Sequence, residues 1–329
     1  MSSYLHIMAF CAITILCAPI LCFAIVLHPD GEPNLVEWTD RPDPNVVGRW
    51  STDASCVAVA TNAIITTRHQ SGGIGTSVWF GGIEYTVEEI VNEPAPQTAD
   101  LRICRVKRKI PGATWLKYTS LYTLTDERRK DHVMGGYGKG RGDPVSDANG
   151  DGFSWTGDNQ TQRWGTNEIL NLNWNEVINA GVYDSDTLIS DTIKSRFDQS
   201  GDTAYEAAVA QHDSGGGWYI KDSSSGKWLL AALSGYVQYL QASYYSPPEY
   251  QWGIRISTYA DWISQNTPPR LDGDYSGDNE IDLIDFSILA ANWKRPDCLA
   301  NNDCNGVDSE LDGDVDLVDL AEFLQNWLN

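Results

Sequence analysis

Positive charge is scarce in this chain: 23 Lys and Arg stand against 45 Asp and Glu in 329 residues, a formal charge of -22. A phosphate backbone would be repelled over most of such a surface, so nucleic acid is excluded as a partner. Histidine is also sparse, with five residues, so any imidazole chemistry must come from a short list. Long apolar runs are missing apart from one, IMAFCAITILCAPILCFA at 7–24. It ends in small residues with Ala24 as a cleavage point, and reads as a secretory signal peptide over 1–24. MSSYLH ahead of it has no Lys or Arg, which leaves a retained membrane anchor as the alternative. Three of the seven cysteines lie in this run. The remaining four allow two disulfides in an exported chain, Cys298 with Cys304 by proximity and Cys56 with Cys104 by elimination.

What is abundant is short β-rich segments. From 46 to about 262 the runs VVGRW, SCVAVA, AIITT, TSVWF, EYTVEEIV, LRICRV, HVMGGYG and WLLAALSGYV alternate with Gly, Asp, Asn and Pro clusters. That spacing predicts an all-β barrel or sandwich. A helix around Thr258–Ile263 closes the region, and Pro268 and Pro269 begin a linker. The expected units are thus the leader at 1–24, an N-terminal extension at 25–45, a β domain at 46–266, a linker at 267–271 and a small domain at 272–329.

The small domain repeats itself after 34 residues. Asp274–Asp285 matches Asp308–Asp319, and Phe286, Leu289, Asn292 and Trp293 align with Leu320, Phe323, Asn326 and Trp327. Oxygen ligands at loop positions 1, 3, 5, 9 and 12 suit a hard cation such as calcium. One loop offers Asp274, Ser276, Asp278, Asp282 and Asp285; the other offers Asp308, Glu310, Asp312, Asp316 and Asp319. Residues 268–329 hold fifteen acidic and three basic side chains, a crowding that two divalent ions would relieve. The tail resembles a dockerin, the duplicated calcium-loop-and-helix module of bacterial extracellular enzymes. That resemblance implies two calcium ions and a cohesin-like partner chosen by the residues after each ninth position. Here those are Leu283-Ile284 and Leu317-Val318, unlike the Ser-Thr pair of cellulosomal dockerins. Two further motifs read as bland: Asp147–Gly152 begins like a calcium loop but has Trp155 at the ninth place and is a surface turn, and Arg141-Gly142-Asp143 is a coincidence.

The stretch AQHDSGGGWY, residues 210–219, raises the question of a nucleophile loop. A serine attacks only when a base takes its proton and a third group orients that base. His69 in ITTRHQ ends a β-rich run, whereas His132 leads into a strand and suits a structural role. Asp100 in ADLRI sits at the mouth of an alternating strand. The chain order His69, Asp100, Ser214 is one of three used by unrelated serine hydrolases. With ITTRHQ, ADLRI, HDSGGG, the turn Gly135-Gly136-Tyr137-Gly138 and the closing helix around Tyr259 and Trp262, residues 46–266 resemble a chymotrypsin/trypsin-like serine protease domain. The resemblance implies two six-stranded Greek-key barrels with the site between them. It makes Ser214 the nucleophile, His69 the base and then acid, and Asp100 the orienting group. Ser234 would support Asp100 and border the substrate, and Ala208 would line the floor of the specificity pocket, favouring small or apolar residues.

Three departures from that pattern stand out. His212 replaces the glycine whose N–H joins that of Ser214 in the oxyanion hole; a positive φ there is one histidine can adopt. Gln70 replaces the cysteine that follows the histidine, so the family's disulfide around the base is absent. Val46-Val47-Gly48 looks like an activation N-terminus but lies 23 residues before His69, and reads as the first barrel strand; Asp213 matches the residue that receives a new N-terminus in the family. The sequence thus implies a secreted serine endopeptidase acting on protein or peptide substrates, with a membrane role only if the leader is retained. The rival is a non-catalytic binding or adhesion protein on a degenerate scaffold of this type.

Overall fold

The computed structural model describes residues 25–29, 38–92, 99–108, 116–157, 160–178, 188–199, 203–267, 273–276, 280–298, 304, 306–309 and 312–327. Residues 1–24, Asp278 and Glu310 lie outside these. Among the described residues no helix is long and apolar enough to cross a membrane.

A short strand, β1 (Val26–Leu27), precedes six strands that close into a barrel. These are β2 (Val47–Trp50), β3 (Ala54–Ala60), β4 (Ala63–Thr66), β5 (Ser77–Phe80), β6 (Ile83–Asn92) and β7 (Arg102–Arg108), ordered β2-β3-β4-β7-β6-β5. β3 and β4 are buried at every position, the mark of strands whose two faces are both covered. The interior packs Trp50, Ile64, Val78, Phe80, Tyr85 and Val87. The segment VVGRW forms the first barrel strand, as read.

The second half comprises β8 (Asp131–Gly136), β9 (Arg141–Asp147), β10 (Gly150–Trp155), β11 (Arg163–Glu168), β12 (Asn171–Ile178), β13 (Leu188–Phe197), β14 (Ala207–Ala208), β15 (Gly217–Lys221), β16 (Trp228–Val237), β17 (Ala242–Ser246) and β18 (Glu249–Arg255). Seven of them form one antiparallel sheet, β11-β8-β15-β16-β18-β13-β12, rather than the closed six-stranded barrel the resemblance implies. The sheet is rolled all the same. Its edge strands β11 and β12 are joined by only Ile169 and Leu170, so the edges must approach each other although no ladder pairs them. The Leu170 N–H bonds to the Lys194 carbonyl on β13 at 2.8 Å. β9, β10 and β17 make a separate three-stranded sheet, and β1 pairs with β14.

The β9–β10 hairpin confirms the turn reading of Asp147–Gly152: Asp147 Oδ1 accepts the Asn149 N–H at 2.7 Å. Arg141 is engaged in the fold, its guanidinium donating to the Leu27 carbonyl at 2.9 Å. The helix α1 (Ile256–Asn266) follows β18 directly. At their junction Arg255 and Glu127 form a buried two-bond pair at 2.8 and 2.7 Å, joined by Ser257 Oγ at 2.6 Å.

Two expectations need correction. Residues 25–28, read as part of an extension ahead of the domain, are an integral buried strand of the second half. Cys56 and Cys104 are free and buried, not paired. They sit on β3 and β7 with β4 between them, two strand spacings or roughly 9.6 Å of backbone, beyond the reach of a disulfide. Cys298 and Cys304 are bonded as read.

In the tail, α2 (Leu283–Asn292) and α3 (Leu317–Trp327) are the helices of the repeat. Leu289 and Phe323, equivalent in the two copies, are buried with Val307, Val315 and the disulfide. Each helix opens on an aspartate: Asp282 accepts the Ile284 N–H and Asp316 the Val318 N–H, both at 2.6 Å.

Candidate active site

β4 delivers the chain to the loop carrying His69. That loop is fixed by Arg102, whose guanidinium lies over the Trp50 ring at 4.5 Å and donates to the carbonyls of Gly72 at 3.0 Å and Gln70 at 3.2 Å. Trp50 Nε1 donates to Ser71 O at 2.8 Å. Asp100, fully buried, stands just before β7. Its Oδ1 accepts the backbone N–H of His69 at 2.8 Å, and its Oδ2 lies 2.6 Å from His69 Nδ1. His69 Nε2 lies 2.8 Å from Ser214 Oγ. The three residues picked out from 31 and 114 positions apart in the sequence thus form one connected line.

The loop carrying Ser214 fits only with little or no side chain at certain places. A Cβ on Gly215, whose φ is +81°, would fall 2.3 Å from the Ser55 carbonyl and 2.3 Å from Thr66 Oγ1. A Cβ on Gly138 would fall 2.5 Å from both the Asp213 carboxyl carbon and its backbone nitrogen. The Gly-Gly-Tyr-Gly turn is therefore the space in which the Asp213 carboxyl sits. That buried carboxyl accepts N–H groups from Gly138 at 2.7 Å, Ala210 at 2.9 Å and Ile25 at 3.3 Å. Burial pushes it up to about 7, against the pull of these bonds and of Arg163.

Beside His69, Gln70 supplies a polar tie. Its side-chain amide donates to the carbonyls of Ser214 and Ser55, and the Ser55 N–H donates to the same Ser214 carbonyl at 3.0 Å. His212 has φ of +78°, the left-handed region that favours glycine. Desolvation holds its imidazole below the ordinary value, with Asp53 opposing and Lys139 adding to the shift.

The Ser234 hydroxyl is not bonded to Asp100. Its Oγ accepts Trp218 Nε1 at 3.0 Å, and its backbone pairs with Gly215 and Gly216 beneath Ser214. The group bonded to the Asp100 backbone is Ser190 Oγ on β13, at 2.8 Å. Nothing in LISDTIKSRF marks that serine in the sequence, because its partner is 90 residues away. Ala208 is buried on β14 and pairs with Val26. Around it Gln251, also missed, accepts the Val209 N–H at 2.6 Å and donates to Ala207 O at 3.1 Å.

In the tail, Asp274, Asp285, Asp308 and Asp319 are all buried. Asp285 accepts the N–H groups of Ser276 at 2.7 Å and Asp282 at 2.9 Å; Asp319 accepts those of Ser309 and Asp316, both at 2.7 Å. Asp282 and Asp316 are half-buried, Ser276 and Asp312 exposed. Among the described residues no three His, Cys, Asp or Glu side chains are gathered as a metal site. The donors are all oxygen, and four buried carboxylates in two equivalent sets suit a hard cation.

No family profile and no curated protein matches the chain. Among solved structures it is similar to neuropsin, a serine protease expressed in the limbic system of mouse brain, at 14% identity and a TM-score of 0.46, covering 68% of this chain and 95% of that one. The functional reading rests on the residues themselves.

Proposed function

We propose that the chain is a secreted serine endopeptidase of the trypsin-like type that works through an acyl-enzyme. The observation that carries this reading is the unbroken line from Ser214 Oγ to His69 Nε2 at 2.8 Å and from His69 Nδ1 to Asp100 Oδ2 at 2.6 Å. Ser214 Oγ attacks the substrate carbonyl carbon while its proton passes to Nε2. Asp100 holds the tautomer with the proton on Nδ1 and stabilises the imidazolium. The new oxyanion takes the N–H groups of His212 and Ser214. His69 then protonates the departing amine, and water repeats the sequence to free Ser214.

The substrate side chain on the acyl side of the cut bond enters, by the family resemblance, beside Ala208. Ala208 itself offers no carboxylate to pair a cation, so by the family resemblance small or apolar residues are favoured over Lys and Arg. The apolar run at 7–24 and the Cys298–Cys304 disulfide support export. In the dockerin-like tail, each loop's five oxygen donors would hold one calcium ion, whose charge would offset the crowded carboxylates. Leu283 and Leu317, about 70% exposed in equivalent positions with Ile284 and Val318 beside them, support docking to a cohesin-like partner.

His212 favours the second reading, a non-catalytic binding protein. A fluorophosphonate probe separates the two: labelling of the wild type at Ser214, mapped by mass spectrometry and absent from Ser214→Ala, is expected of the peptidase. An unlabelled, folded wild type would favour the binding protein.

A further inference from the structure

Two consecutive side chains hold Ser214 from two sides. His69 Nε2 lies 2.8 Å from its Oγ, and the amide of the next residue, Gln70, donates to its carbonyl. The same amide donates to the Ser55 carbonyl at 3.3 Å. Both neighbours of the amide nitrogen are acceptors, so the reverse orientation would set an oxygen against two oxygens. Gly215 leaves the space for this contact, since a Cβ there would fall 2.7 Å from Gln70 Nε2. From behind, Arg102 donates to the Gln70 carbonyl at 3.2 Å and lies over the Trp50 ring at 4.5 Å.

This arrangement carries a penalty that an apolar side chain would avoid. Gln70 is buried, and no described residue bonds to its Oε1, which loses water and gains nothing in return. Nor do the two carbonyls depend on the amide for a partner. The Ser214 carbonyl already accepts the Ser55 N–H at 3.0 Å, and the Ser55 carbonyl accepts Thr66 Oγ1 at 2.8 Å. Methionine would fill a similar volume with no orphaned oxygen. What the amide adds is therefore position rather than stability. Ser55 holds the Ser214 carbonyl from β3, whereas Gln70 holds it from the loop that carries His69.

We propose that Gln70 is a positioning residue for the nucleophile: it couples the Ser214 carbonyl to the His69 loop, so that Oγ and Nε2 keep their distance through acylation and deacylation. The two loops belong to different halves of the β domain, and without the amide the Ser214–Gly215 peptide is free to turn relative to the base. Small errors of this kind weigh heavily on rate, because the reacting atoms must start close and aligned. Asp100 orients the imidazole; Gln70 orients the group the imidazole serves. The inference rests on the peptidase reading given above.

The test compares the full chain with Gln70→Met and Thr66→Val, the second of which removes a bond to the Ser55 carbonyl and none to Ser214 or His69. Three quantities are read: melting temperature, the rate of fluorophosphonate labelling of Ser214, and amide hydrogen exchange at Gly215 and Gly216. Gln70→Met is expected to melt at or above the wild type, to label roughly tenfold more slowly, the effect of one ordinary hydrogen bond, and to exchange faster at both glycines. Thr66→Val is expected to melt lower and to label at the wild-type rate. On a peptide substrate Gln70→Met should lower kcat with KM little changed. Labelling of Gln70→Met at the wild-type rate, its failure to fold, or an equal loss of labelling in Thr66→Val would overturn the proposal and leave Gln70 a structural contact. A folded wild type that does not label sinks the peptidase reading, and exchange then decides the coupling: faster at Gly215 and Gly216 in Gln70→Met upholds it, and unchanged exchange overturns it.

Discussion

The backbone N–H of Asp100 donates to Ser190 Oγ at 2.8 Å, joining the mouth of β7 in the barrel to β13 in the seven-stranded sheet. Both residues are buried. His69 and Asp100 come from the barrel and Ser214 from the other half, so this bond helps fix the distance a proton would cross in the proposed mechanism. Ser190→Ala leaves a buried donor without its acceptor, at about 1–3 kcal/mol. The expected result is a loss of kcat of about tenfold, with KM changed much less, because the misplaced group orients the base and does not bind substrate. Steady-state kinetics on a peptide substrate checks it; an unchanged kcat would reduce Ser190 to a structural contact.

Asp100 makes a sharper demand. In Asp100→Asn the side-chain amide can present a donor to His69 Nδ1, which favours the tautomer whose proton sits on Nε2 and faces Ser214. Packing should survive, since size is unchanged and Oδ1 can still accept the His69 N–H. kcat is expected to fall by roughly 10⁴-fold. Raising the pH should not restore it, because the proton is misplaced rather than present in excess. Circular dichroism alongside the kinetics separates this outcome from unfolding.

Much of this was legible in the chain, for reasons that can be assigned to residues. The eight apolar runs all lie in strands because β-branched and small residues alternate or cluster there with turn residues between them. β9, with RGDPVSD, and β13, with LISDTIKSRF, were invisible for different reasons: β9 buries none of its residues, and the buried positions of β13 include Ser190, Thr192 and Ser195, polar residues that no apolar period marks. His69, Asp100 and Ser214 could be named because each sits beside a strand end or a glycine turn with its own local signature. Ser190, Gln251 and Ile25 could not, since their roles depend on partners 40 to 190 residues distant. Ser234 went astray for the same reason: a family position predicts a neighbourhood, but the hydroxyl went to the Trp218 indole.

Two buried titratable groups set opposite limits on stability. His132 is stacked on Trp218 at 4.6 Å, and burial pushes it down to about 3 against a smaller pull from the Asn167 backbone. The unfolded chain takes a proton there below about pH 6.5 and the folded chain does not, so stability falls as pH drops from 6.5 towards 3. Glu249 is pushed up to about 8 by burial, with bonds from Tyr244 and Ser243 opposing. There the folded chain keeps a proton that the unfolded chain loses above about pH 4.5, so stability falls as pH rises from 4.5 to 8. Each group contributes at most about 1.4 kcal/mol per pH unit. Urea titrations across pH should show His132→Phe flattening the acid limb and Glu249→Gln flattening the alkaline one. Unaltered limbs would mean that both groups reach solvent.

The tail offers the last test. Asp285 and Asp319 are wholly buried and each ties its loop to its helix through two backbone N–H groups. Each also stands at the twelfth place of its loop, so the same carboxylate would close the ion site and the helix start. Asp308 is pushed up by burial and by the fields of Asp319 and Asp312, which is the repulsion a divalent ion would remove. Calcium bound only to the folded tail stabilises it in proportion to the logarithm of its concentration. In the full chain, a chelator should lower a separate melting transition of the tail while the transition of the β domain stays in place. Isothermal titration should give two calcium ions for the wild type and one each for Asp285→Asn and Asp319→Asn. Asparagine keeps the volume and one acceptor oxygen, so a lost ion reports the charge and not a collapsed loop. Two ions in either variant, or a melting curve indifferent to chelator, would show that the buried aspartates serve only as helix caps.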